Sequence, residues 1–358
     1  MGQGNRRMVG GQVVVVTKDD VVCVGLDVHV KSFHVAIWKN GQIVWQGVIP
    51  AKAEVLIKLL AGVRAGLKKV VYEAGPTGYG LARALAREGI PVEVAAPSEI
   101  KRKSGKEAKS DRIDSRKLAE MASKGDLKYV RIPTEEEEAD RQVVRLRDQL
   151  VDRRRKARQQ IRGFMLQYGL ETPRGLNQWS RKAVEELAAV PLRRELRYCL
   201  DKMLEEEEAL RAKIQEIEKE ISRLANEKRY VVKMDLVCSH PGVGRTVAME
   251  FLTEVYRPGR FAHAGQVSKY VGLAPLRWST GETAKDLGTN KSGRKRLRSM
   301  LIEAAWTWVR HDARARATYK HLAAQTASGK KAIVAMARKL VVNLWTMLCD
   351  GTFYREAA

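Results

Sequence analysis

Short apolar runs alternate with polar turns through the first hundred residues. Three strand-like runs come first, at 21–28, 32–38 and 42–49. The Asn40–Gly41 pair between the last two is typical of a tight hairpin. Helix-like and strand-like stretches then alternate, at 53–66, 68–74, 80–89 and 91–96. Three meandering strands followed by strand–helix repeats predict an α/β domain with a mixed sheet.

The pattern changes from residue 134 onward, where apolar residues recur at steps of three and four. One series runs from Val143 to Phe164, and a second runs from Leu196 to Leu224 after a break at 169–179. The second series is close to a heptad with Glu and Lys on its flanks, which predicts a helical hairpin or a coiled coil. A long helix with a narrow apolar face buries little apolar surface by itself. We therefore expect these helices to pack either on each other or on another subunit.

Residues 229–350 predict a second globular unit that ends in two apolar helices. Before residue 20 the only apolar run is Val13–Val16, which is too short for a signal peptide, and we interpret residues 1–19 as a loose leader. The predicted fold class is an α/β N-terminal domain, a long helical coiled-coil middle and a mostly α C-terminal domain. After the leader, their predicted bounds are 20–130, 131–228 and 229–358.

The net charge of the chain indicates which class of partner it binds. Sixty-six Lys and Arg residues against 42 Asp and Glu residues give a net charge of +24, which predicts a nucleic-acid partner. A membrane surface is the weaker alternative, because the cations are spread through predicted folded segments rather than held in one amphipathic tail. The cysteines are far apart without a CxxC pair, which predicts a reduced, cytoplasmic chain without zinc knuckles.

Four acids stand at positions that are predicted to meet at one edge of the sheet. Asp27 and Glu73 each end an apolar strand, and the ends of adjacent strands meet at one edge of a sheet. Asp111 and Asp114 lie three residues apart at the start of a predicted helix that Ser110 can cap, so they share a helix face. Taken singly, each acid is a common turn former or helix-start residue. Clustered carboxylates need counter-charge, which two divalent metal ions usually supply, and oxygen ligands of this kind favour Mg²⁺ or Mn²⁺.

Three motifs carry a resemblance to a known family. They are GLDVHVKSFHVAI (25–37), VYEAGPTGYGLARAL (71–85) and KSDRIDSRKLAE (109–120). Residues 21–125 resemble the RuvC-like, RNase H-type domain of the DEDD transposases of the insertion-sequence family "one-ten", which includes an "eleven-eleven" subgroup. The resemblance implies that four acids form a catalytic, metal-binding tetrad. These are Asp27, Glu73, Asp111 and Asp114.

The last third resembles the second conserved domain of the same family, through HPGVGRTVAMEFLTEV (240–255), RFAHAGQVSKYVGLAP (260–275) and KSGRKRLRSMLIEAAW (291–306). The resemblance implies a serine that attacks DNA and forms a covalent phosphoserine link. Counting forward from GLAP favours Thr280, whereas counting back from KSG favours Ser279. We choose Ser279 because a primary hydroxyl is the less crowded nucleophile. Where the family usually has Gly-Asn, this chain has Gly293-Arg294.

Clustered cations predict contacts with nucleic-acid backbones, whose binding weakens steeply with salt. One set surrounds the KSG turn, and the other lies on the first long predicted helix. A solvated helix face is the alternative for both, and the Pro-Gly-x-Gly turn at 241–244 is either a phosphate site or a plain helix start. The predicted nucleic-acid-binding residues are Lys291, Arg294, Lys295, Arg296 and Arg298, together with Arg153, Arg154, Arg155 and Lys156.

The expected function is that of a Mg²⁺- or Mn²⁺-dependent DNA recombinase that moves its own insertion sequence. The resemblance implies donor and target DNA as partners, guidance by a structured bridge RNA, and a dimer or tetramer in which the acids of one subunit meet the serine of another. It also implies a prokaryotic cytoplasm and an association with the nucleoid, with no membrane partner. Two alternatives are a metal-dependent Holliday-junction nuclease without a covalent intermediate and a non-enzymatic protein that coats DNA.

Overall fold

The computed structural model describes residues 5–9, 11–97, 100, 111–280, 283–291 and 293–354. Within these, the side chains of residues 5–9, 13, 111–113, 277–280 and 283–287 lie outside the description. The chain divides into two compact units, Met1–Thr134 and Glu135–Ala358. The first combines strands and helices, and the second is mostly helical.

The first unit holds eight strands and three helices among its described residues. In chain order they are β1 (Asn5–Val9), β2 (Gln12–Val16), β3 (Val22–Val28), β4 (Ser32–Lys39), β5 (Gln42–Pro50), α1 (Ala53–Ala61), β6 (Leu67–Glu73), α2 (Gly80–Arg87), β7 (Val92–Ala95), α3 (Asp111–Lys124) and β8 (Tyr129–Val130). Six strands form one sheet in the order β5-β4-β3-β6-β7-β8. Strands β3, β6 and β7 run parallel, whereas the remaining pairs are antiparallel. The sequence prediction of a mixed sheet is therefore confirmed.

The segment that the sequence analysis interpreted as a loose leader contains an antiparallel hairpin of β1 and β2. Its Val14 and Val16 are buried in the same core as the sheet, because alternate residues of a strand share a face. The following turn is tied down by Asp20, which accepts hydrogen bonds from Thr17 N–H at 2.7 Å and Asn40 Nδ2 at 2.6 Å. The Thr17 backbone hydrogen bond is the largest influence that lowers the pKa of Asp20 to about 2.

The two faces of the sheet are covered by different helices. On one face, Val24 and Leu26 of β3 and Tyr72 of β6 pack in a core with Leu56 of α1 and Leu85 of α2. The residues between them, at the odd-numbered positions of β3 and β6, lie on the opposite face. There, three strand residues and three α3 residues form a second apolar cluster, made of Cys23, Val71, Ala95, Leu118, Met121 and Ala122.

Helix α3 lies directly on strand β3 at Gly25. A Cβ atom at this position would lie 2.0 Å from the Ser115 backbone oxygen and 2.5 Å from the Ala119 nitrogen, so that only glycine fits. Cys23, earlier in the strand, clusters with Leu118 later in the helix. Helix α3 therefore runs antiparallel to β3, and its first turn lies towards the carboxyl end of that strand.

The second unit has nine helices and a β-hairpin among its described residues. In chain order they are α4 (Glu135–Gln167), α5 (Arg181–Ala188), α6 (Arg194–Ala225), α7 (Val231–Cys238), α8 (Arg245–Val255), α9 (Ala264–Val271), β9 (Pro275–Thr280), β10 (Thr283–Thr289), α10 (Lys295–His311), α11 (Ala313–Thr326) and α12 (Gly329–Asp350). A short 3-10 turn, Pro258–Arg260, precedes α9. The predicted mostly helical C-terminal part is confirmed.

Helices α4 and α6 pair antiparallel within the chain, as a helical hairpin. Arg147 of α4 lies 2.6 Å from Glu218 of α6, and Arg154 of α4 lies 2.8 Å from Glu207 of α6. Residues later in α4 therefore pair with residues earlier in α6, so the two helices are antiparallel. Val144 at the start of α4 belongs to the same core as the helices that follow α6. The predicted bounds made the long helices a separate middle domain, but the structure groups them with the C-terminal helices because this core is shared.

Helix α12 forms the centre of that core. By length and composition it is the one helix in the described part of the chain that is apolar enough to cross a membrane. Its Met336, Leu340 and Leu344 are instead fully buried among the apolar side chains of the second unit. Its apolar composition is accounted for by this packing.

Replacing Gly25 by alanine tests the contact between β3 and α3. Because the new methyl group meets backbone atoms that cannot rotate away, we expect Gly25→Ala to lower the free energy of unfolding by about 1–3 kcal/mol. Urea unfolding followed by circular dichroism measures this change. The matched control is Gly80→Ala at the start of α2, where a Cβ meets no atom within 4 Å. Equal stability of the two variants would contradict the close approach.

Candidate active site

Asp27 and Glu73 lie at the same edge of the sheet. Strands β3 and β6 are parallel neighbours in which Leu26 pairs with Tyr72, so the next residues along, Asp27 and Glu73, occupy adjacent positions at the carboxyl ends. Asp27 lies two residues after Gly25, and Glu73 lies two residues after Val71. Both acids are therefore on the face of the sheet that α3 covers. Asp27 is partly buried and Glu73 is exposed. The strands thus bring two of the four predicted acids together.

The first turn of α3 supplies the other two acids at this edge. Asp111 is the first helical residue, and Asp114 immediately precedes Ser115, whose backbone oxygen faces Gly25. The Asp114 side chain is exposed, whereas that of Asp111 lies outside the described side chains. Carboxylates at a helix N-terminus are favoured by the positive end of the helix dipole. We call the set Asp27, Glu73, Asp111 and Asp114 the acid edge.

Two histidines that the sequence analysis did not single out lie beside Asp27. The Nε2 atom of His29 is 3.2 Å from Asp27 Oδ2, in hydrogen-bonding contact. The ring of His29 meets the ring of His34 edge-on with 5.6 Å between centroids, and His34 is the residue opposite Asp27 in β4. The signal was present in the run DVHVKSFH, where both histidines follow the acid at short range. His29 orients one oxygen of Asp27.

The donor set at the acid edge suits a hard divalent cation. Carboxylate oxygens are the ligands that Mg²⁺ and Mn²⁺ prefer. Among the described residues, no Lys or Arg forms an ion pair with Asp27, Glu73 or Asp114. The described side chains alone do not contain a group of three ligands close enough to hold a metal ion. The residue types fit the predicted cation, and the Asp111 carboxylate is the predicted fourth donor.

The predicted nucleophile lies on the β9–β10 hairpin of the second unit. Ser279 is opposite Ala284 and Thr280 is opposite Thr283, so both stand at the end of β9. Because successive residues of a strand lie on opposite faces, Ser279 and Thr280 occupy positions on different faces of β9. Their side chains and residues 281–282 lie outside the description. The choice between them stays a prediction.

The base of this hairpin is fixed to helix α9. The Asn290 backbone N–H donates to Ala274 O at 2.9 Å, and its side-chain Nδ2 donates to Lys269 O at 2.9 Å. Gly293 has a φ of +73°, and a Cβ there would lie 2.1 Å from the Tyr270 oxygen. The KSG turn therefore packs its glycine against the end of α9, which explains why glycine is needed at this position.

Arg294, the residue that departs from the family pattern, binds acids from two other helices. Its guanidinium lies 2.5 Å from Asp148 of α4 and 2.9 Å from Glu254 of α8, with Glu250 at 3.5 Å. Arg296 also pairs with Asp148, at 3.2 Å. Arg294 is only one-fifth exposed. These ion pairs hold the start of α10, directly after the hairpin, against α4 and α8.

Glu250 is the unusual member of this ion network. It is fully buried, and its two carboxyl oxygens have no hydrogen-bond partner in the described structure. Burial, and then the charge of Asp148, raise the pKa of Glu250 to about 8, although Arg294 opposes the shift. The neutral, protonated form of this side chain is therefore favoured. The two other acids each pair with Arg294 and with one further arginine, Asp148 with Arg296 and Glu254 with Arg145.

The other predicted nucleic-acid-binding residues differ in their surroundings. Arg154 pairs with the buried Glu207 at 2.8 Å, and Asp152 holds Arg155 and Lys156 at 2.7 and 3.2 Å. Arg298 donates to the backbone oxygen of Lys291 at 3.2 Å. The exposed members are Arg153, Arg155, Lys156, Lys291 and Lys295. Binding by any of these residues stays a prediction.

The Pro-Gly-x-Gly turn packs against helix α10. A Cβ at Gly242, whose φ is +93°, would lie 2.4 Å from Ala304 O. The preceding His240 is buried, and this burial lowers its pKa to about 4. Gly244 caps α8 and is exposed beside Arg245. The first glycine is thus needed for packing, while the second leaves the helix start accessible.

Two family descriptions match the chain. A family described as "Transposase", of the DEDD type found in IS110, matches residues 24–170, which include the whole acid edge. The family described as "Transposase IS116/IS110/IS902 family" matches residues 234–320, which include Ser279. The two matched segments lie one in each half of the sequence.

Full-length relatives show the same similarity. A putative transposase y4qE of Sinorhizobium fredii is 32% identical over 321 residues, covering 86% of this chain and 77% of the relative. The transposase for insertion sequence element IS1111A of Coxiella burnetii is 26% identical over 95% of this chain and 93% of its own length. The transposase for IS1328 of Yersinia enterocolitica is 27% identical over 80% and 85%.

Similarity over most of both chains defines the class of protein, which is an insertion-sequence transposase. The chain belongs to the IS116/IS110/IS902 family of transposases. Membership makes it a DNA-cleaving and DNA-recombining enzyme, and it confirms the prediction of a DNA partner.

Glu250 makes the stability of the second unit depend on pH. Its pKa is about 8 in the folded chain against 4.5 ordinarily, so its contribution is fully present below about pH 4.5 and is lost as the pH rises through 8. Glu250→Gln removes this titration, and we expect its stability to fall less than that of the unchanged protein between about pH 5 and pH 9. Urea unfolding at several pH values measures the difference.

The control for this experiment is Glu216→Gln, which removes an equal charge from the exposed surface of α6. Its pH dependence is expected to follow that of the unchanged protein. If Glu250→Gln and Glu216→Gln behave alike over the whole range, Glu250 is not a buried neutral acid.

Proposed function

We propose that this transposase cuts and rejoins DNA strands through a covalent serine–DNA intermediate, with a divalent metal ion bound at the acid edge. The observation that carries the proposal is the convergence of Asp27, Glu73 and the first turn of α3 at one edge of the sheet. Such an arrangement is what an RNase H-type, RuvC-like catalytic domain requires. The family membership supplies DNA as the substrate.

The residues that would hold the metal are the four acids of the acid edge. Bound Mg²⁺ or Mn²⁺ would polarise the scissile phosphate and stabilise the charge that develops in the transition state. In the protein, Asp27 is oriented by its hydrogen bond to His29, at 3.2 Å. The strand register that holds Glu73 and the packing of α3 that holds the backbone of Asp114 support this assignment.

The reacting group in the second unit would be the Ser279 hydroxyl. Its Oγ attacks a backbone phosphorus, a P–O bond to serine forms, and the bond to one deoxyribose oxygen breaks. The serine hydroxyl gives up its proton while the departing oxygen takes one up, which leaves a free DNA hydroxyl and a phosphoserine ester. Attack on this ester by the hydroxyl of another strand rejoins DNA without a new energy source, because the ester conserves the bond energy.

We further propose that a structured bridge RNA guides the enzyme by pairing with donor and target DNA. The supporting similarity is to the family as a whole and, at 26% identity, to the IS1111A transposase, whose subgroup this chain would join. Guidance by RNA leaves the protein to contact backbone and shape. A net charge of +24 with only 6% aromatic residues suits that division. The enzyme would act in a prokaryotic cytoplasm, beside the nucleoid.

An assembly of two or four subunits completes the proposal. The α4–α6 hairpin would pair with that of another subunit as a coiled coil, and the acid edge of one subunit would act with Ser279 of another. One apolar side chain on the exposed face of α4, Leu146, is 39% exposed, and such a position suits a seam between two helices.

The covalent adduct provides the direct test. Incubated with donor DNA, guide RNA and Mg²⁺, the unchanged protein is expected to give a protein–DNA species that survives denaturing gel electrophoresis. Ser279→Ala should lose this species completely because the nucleophile is gone, whereas Thr280→Ala should retain part of it. Asp114→Asn should lower the yield at least about 100-fold, because a missing carboxylate misplaces the metal ion.

Binding of DNA and RNA by each variant, measured by gel shift, is the control and should be unchanged. An adduct that persists in Ser279→Ala but vanishes in Thr280→Ala moves the nucleophile by one residue. DNA cleavage by the unchanged protein without any adduct favours a metal-dependent junction nuclease. Full activity of Asp114→Asn would remove the acid edge from the mechanism, and the absence of cleavage altogether would favour a DNA-coating protein.

A further inference from the structure

The last three helices carry a cationic surface whose Lys and Arg residues lie outside the motifs that resemble the family. Residues 304–349 contain eight Lys and Arg residues and one acid, Asp312. That acid is already engaged, since it accepts the Ala315 backbone N–H at 2.8 Å, capping α11, and the Tyr354 hydroxyl at 3.1 Å. The positive charge of this region therefore lacks a compensating acid of its own.

Seven of these eight cations are exposed, among them five along α11 and at its two ends. We call these five the α11 stripe, and they are Arg310, Arg314, Arg316, Lys320 and Lys330. Arg316 Nη2 donates to the Arg310 backbone oxygen at 2.5 Å, which places Arg316 at the end of α10 beside Arg310. At the other end, a Cβ on Gly329 would lie 2.9 Å from the Tyr319 hydroxyl, so Lys330 begins α12 beside Lys320.

Helix α11 offers most of its surface to solvent. Of its 14 residues, only Ala315 is buried. A helix of this length is about 21 Å long, and a nucleic-acid strand places a phosphate about every 3.4 Å of helix axis, so about six phosphates span it. Three cations of the stripe, Arg314, Arg316 and Lys320, lie within this length, and Arg310 and Lys330 flank it.

The stripe differs from other cations of the second unit in its pairing. Arg154 and Arg158 share Glu207, and Arg294 lies between Asp148 and Glu254. In contrast, no member of the α11 stripe forms an ion pair with an acid in the described part of the chain. Unpaired exposed cations at close spacing repel one another, so an anionic partner would stabilise the surface.

An aromatic pair adjoins the stripe. Trp306 of α10 is 39% exposed, and its ring meets Tyr319 of α11 with 5.4 Å between centroids. An exposed indole beside cations is a surface on which an unpaired base can stack. Inorganic polyphosphate would use the cations but has no group that can stack on Trp306.

We propose that the α11 stripe binds the phosphodiester backbone of a nucleic-acid strand, with Trp306 available to an unpaired base. This surface is additional to the acid edge and the serine hairpin, and it does not depend on which residue is the nucleophile. Donor or target DNA and a structured RNA share the required chemistry.

The test compares two full-length variants with four neutralised cations each. The stripe variant is R314Q, R316Q, K320Q and K330Q combined. The control variant is K182Q, K202Q, R211Q and R223Q combined, which removes the same charge from cations that pair with Glu186, Glu205, Glu208 and Glu220. Equilibrium binding of labelled duplex DNA and of a labelled RNA hairpin is measured over a series of salt concentrations, without cleavage.

The stripe variant is expected to bind at least about tenfold more weakly at low salt. The slope of log K against log salt should become shallower by about 0.9 for each lost contact on duplex DNA and about 0.7 on a single strand. The control variant should stay close to the unchanged protein. If the stripe variant loses affinity for only one of the two probes, that probe identifies the nucleic acid that the stripe binds. If it loses affinity for both probes, the stripe is a general site for nucleic-acid backbones.

Equal losses in both variants, or no loss in the stripe variant, would overturn the proposal. A second measurement uses the unchanged protein and so does not depend on how the variants fold. Lys320 and Lys330 should be protected from chemical acetylation when nucleic acid is added, while Lys182 and Lys202 stay reactive. Full reactivity of Lys320 and Lys330 in the presence of saturating DNA and RNA would also overturn it.

Discussion

The contact between Gly25 and the backbone of α3 is the constraint on which the candidate active site depends. A strand and a helix approach this closely only where a side chain is missing, and here Ser115 O and Ala119 N occupy the space that a Cβ would take. The contact fixes both the distance and the register of α3. Since the helix runs against the strand, its acidic first turn comes to lie at the carboxyl edge where Asp27 and Glu73 already stand.

The second unit distributes its charge in two ways. Inside, Asp148 of α4 and Glu254 of α8 pair with Arg294, and burial raises the pKa of the neighbouring Glu250. These pairs hold α10 in place directly after the serine hairpin. Outside, the cations along α11 have no such partners among the described residues. Positive charge is therefore used for packing where it is paired and remains available for an anionic partner where it is not.

Local sequence patterns were sufficient for the mixed sheet and the acid positions, because alternation and strand ends are local properties. The β1–β2 hairpin was missed since its burial depends on contacts with the sheet that a four-valine run does not reveal. The shared core of the second unit depends on Val144 packing with helices far along the chain. The same holds for Arg294, whose partner Asp148 is 146 residues away. From the sequence alone, an arginine in a basic run is interpreted as a DNA-binding residue, because its acidic partners are far along the chain.

The central claim is that Asp27, Glu73, Asp111 and Asp114 share one metal site. Fe²⁺ bound in place of Mg²⁺, with ascorbate and peroxide, generates hydroxyl radicals that cut the backbone close to the ion, and the cuts can be mapped by mass spectrometry. The account predicts cuts near residues 27, 73 and 111–114 together, suppressed by excess Mg²⁺. Cuts confined to one of these segments, or located elsewhere in the chain, would contradict it.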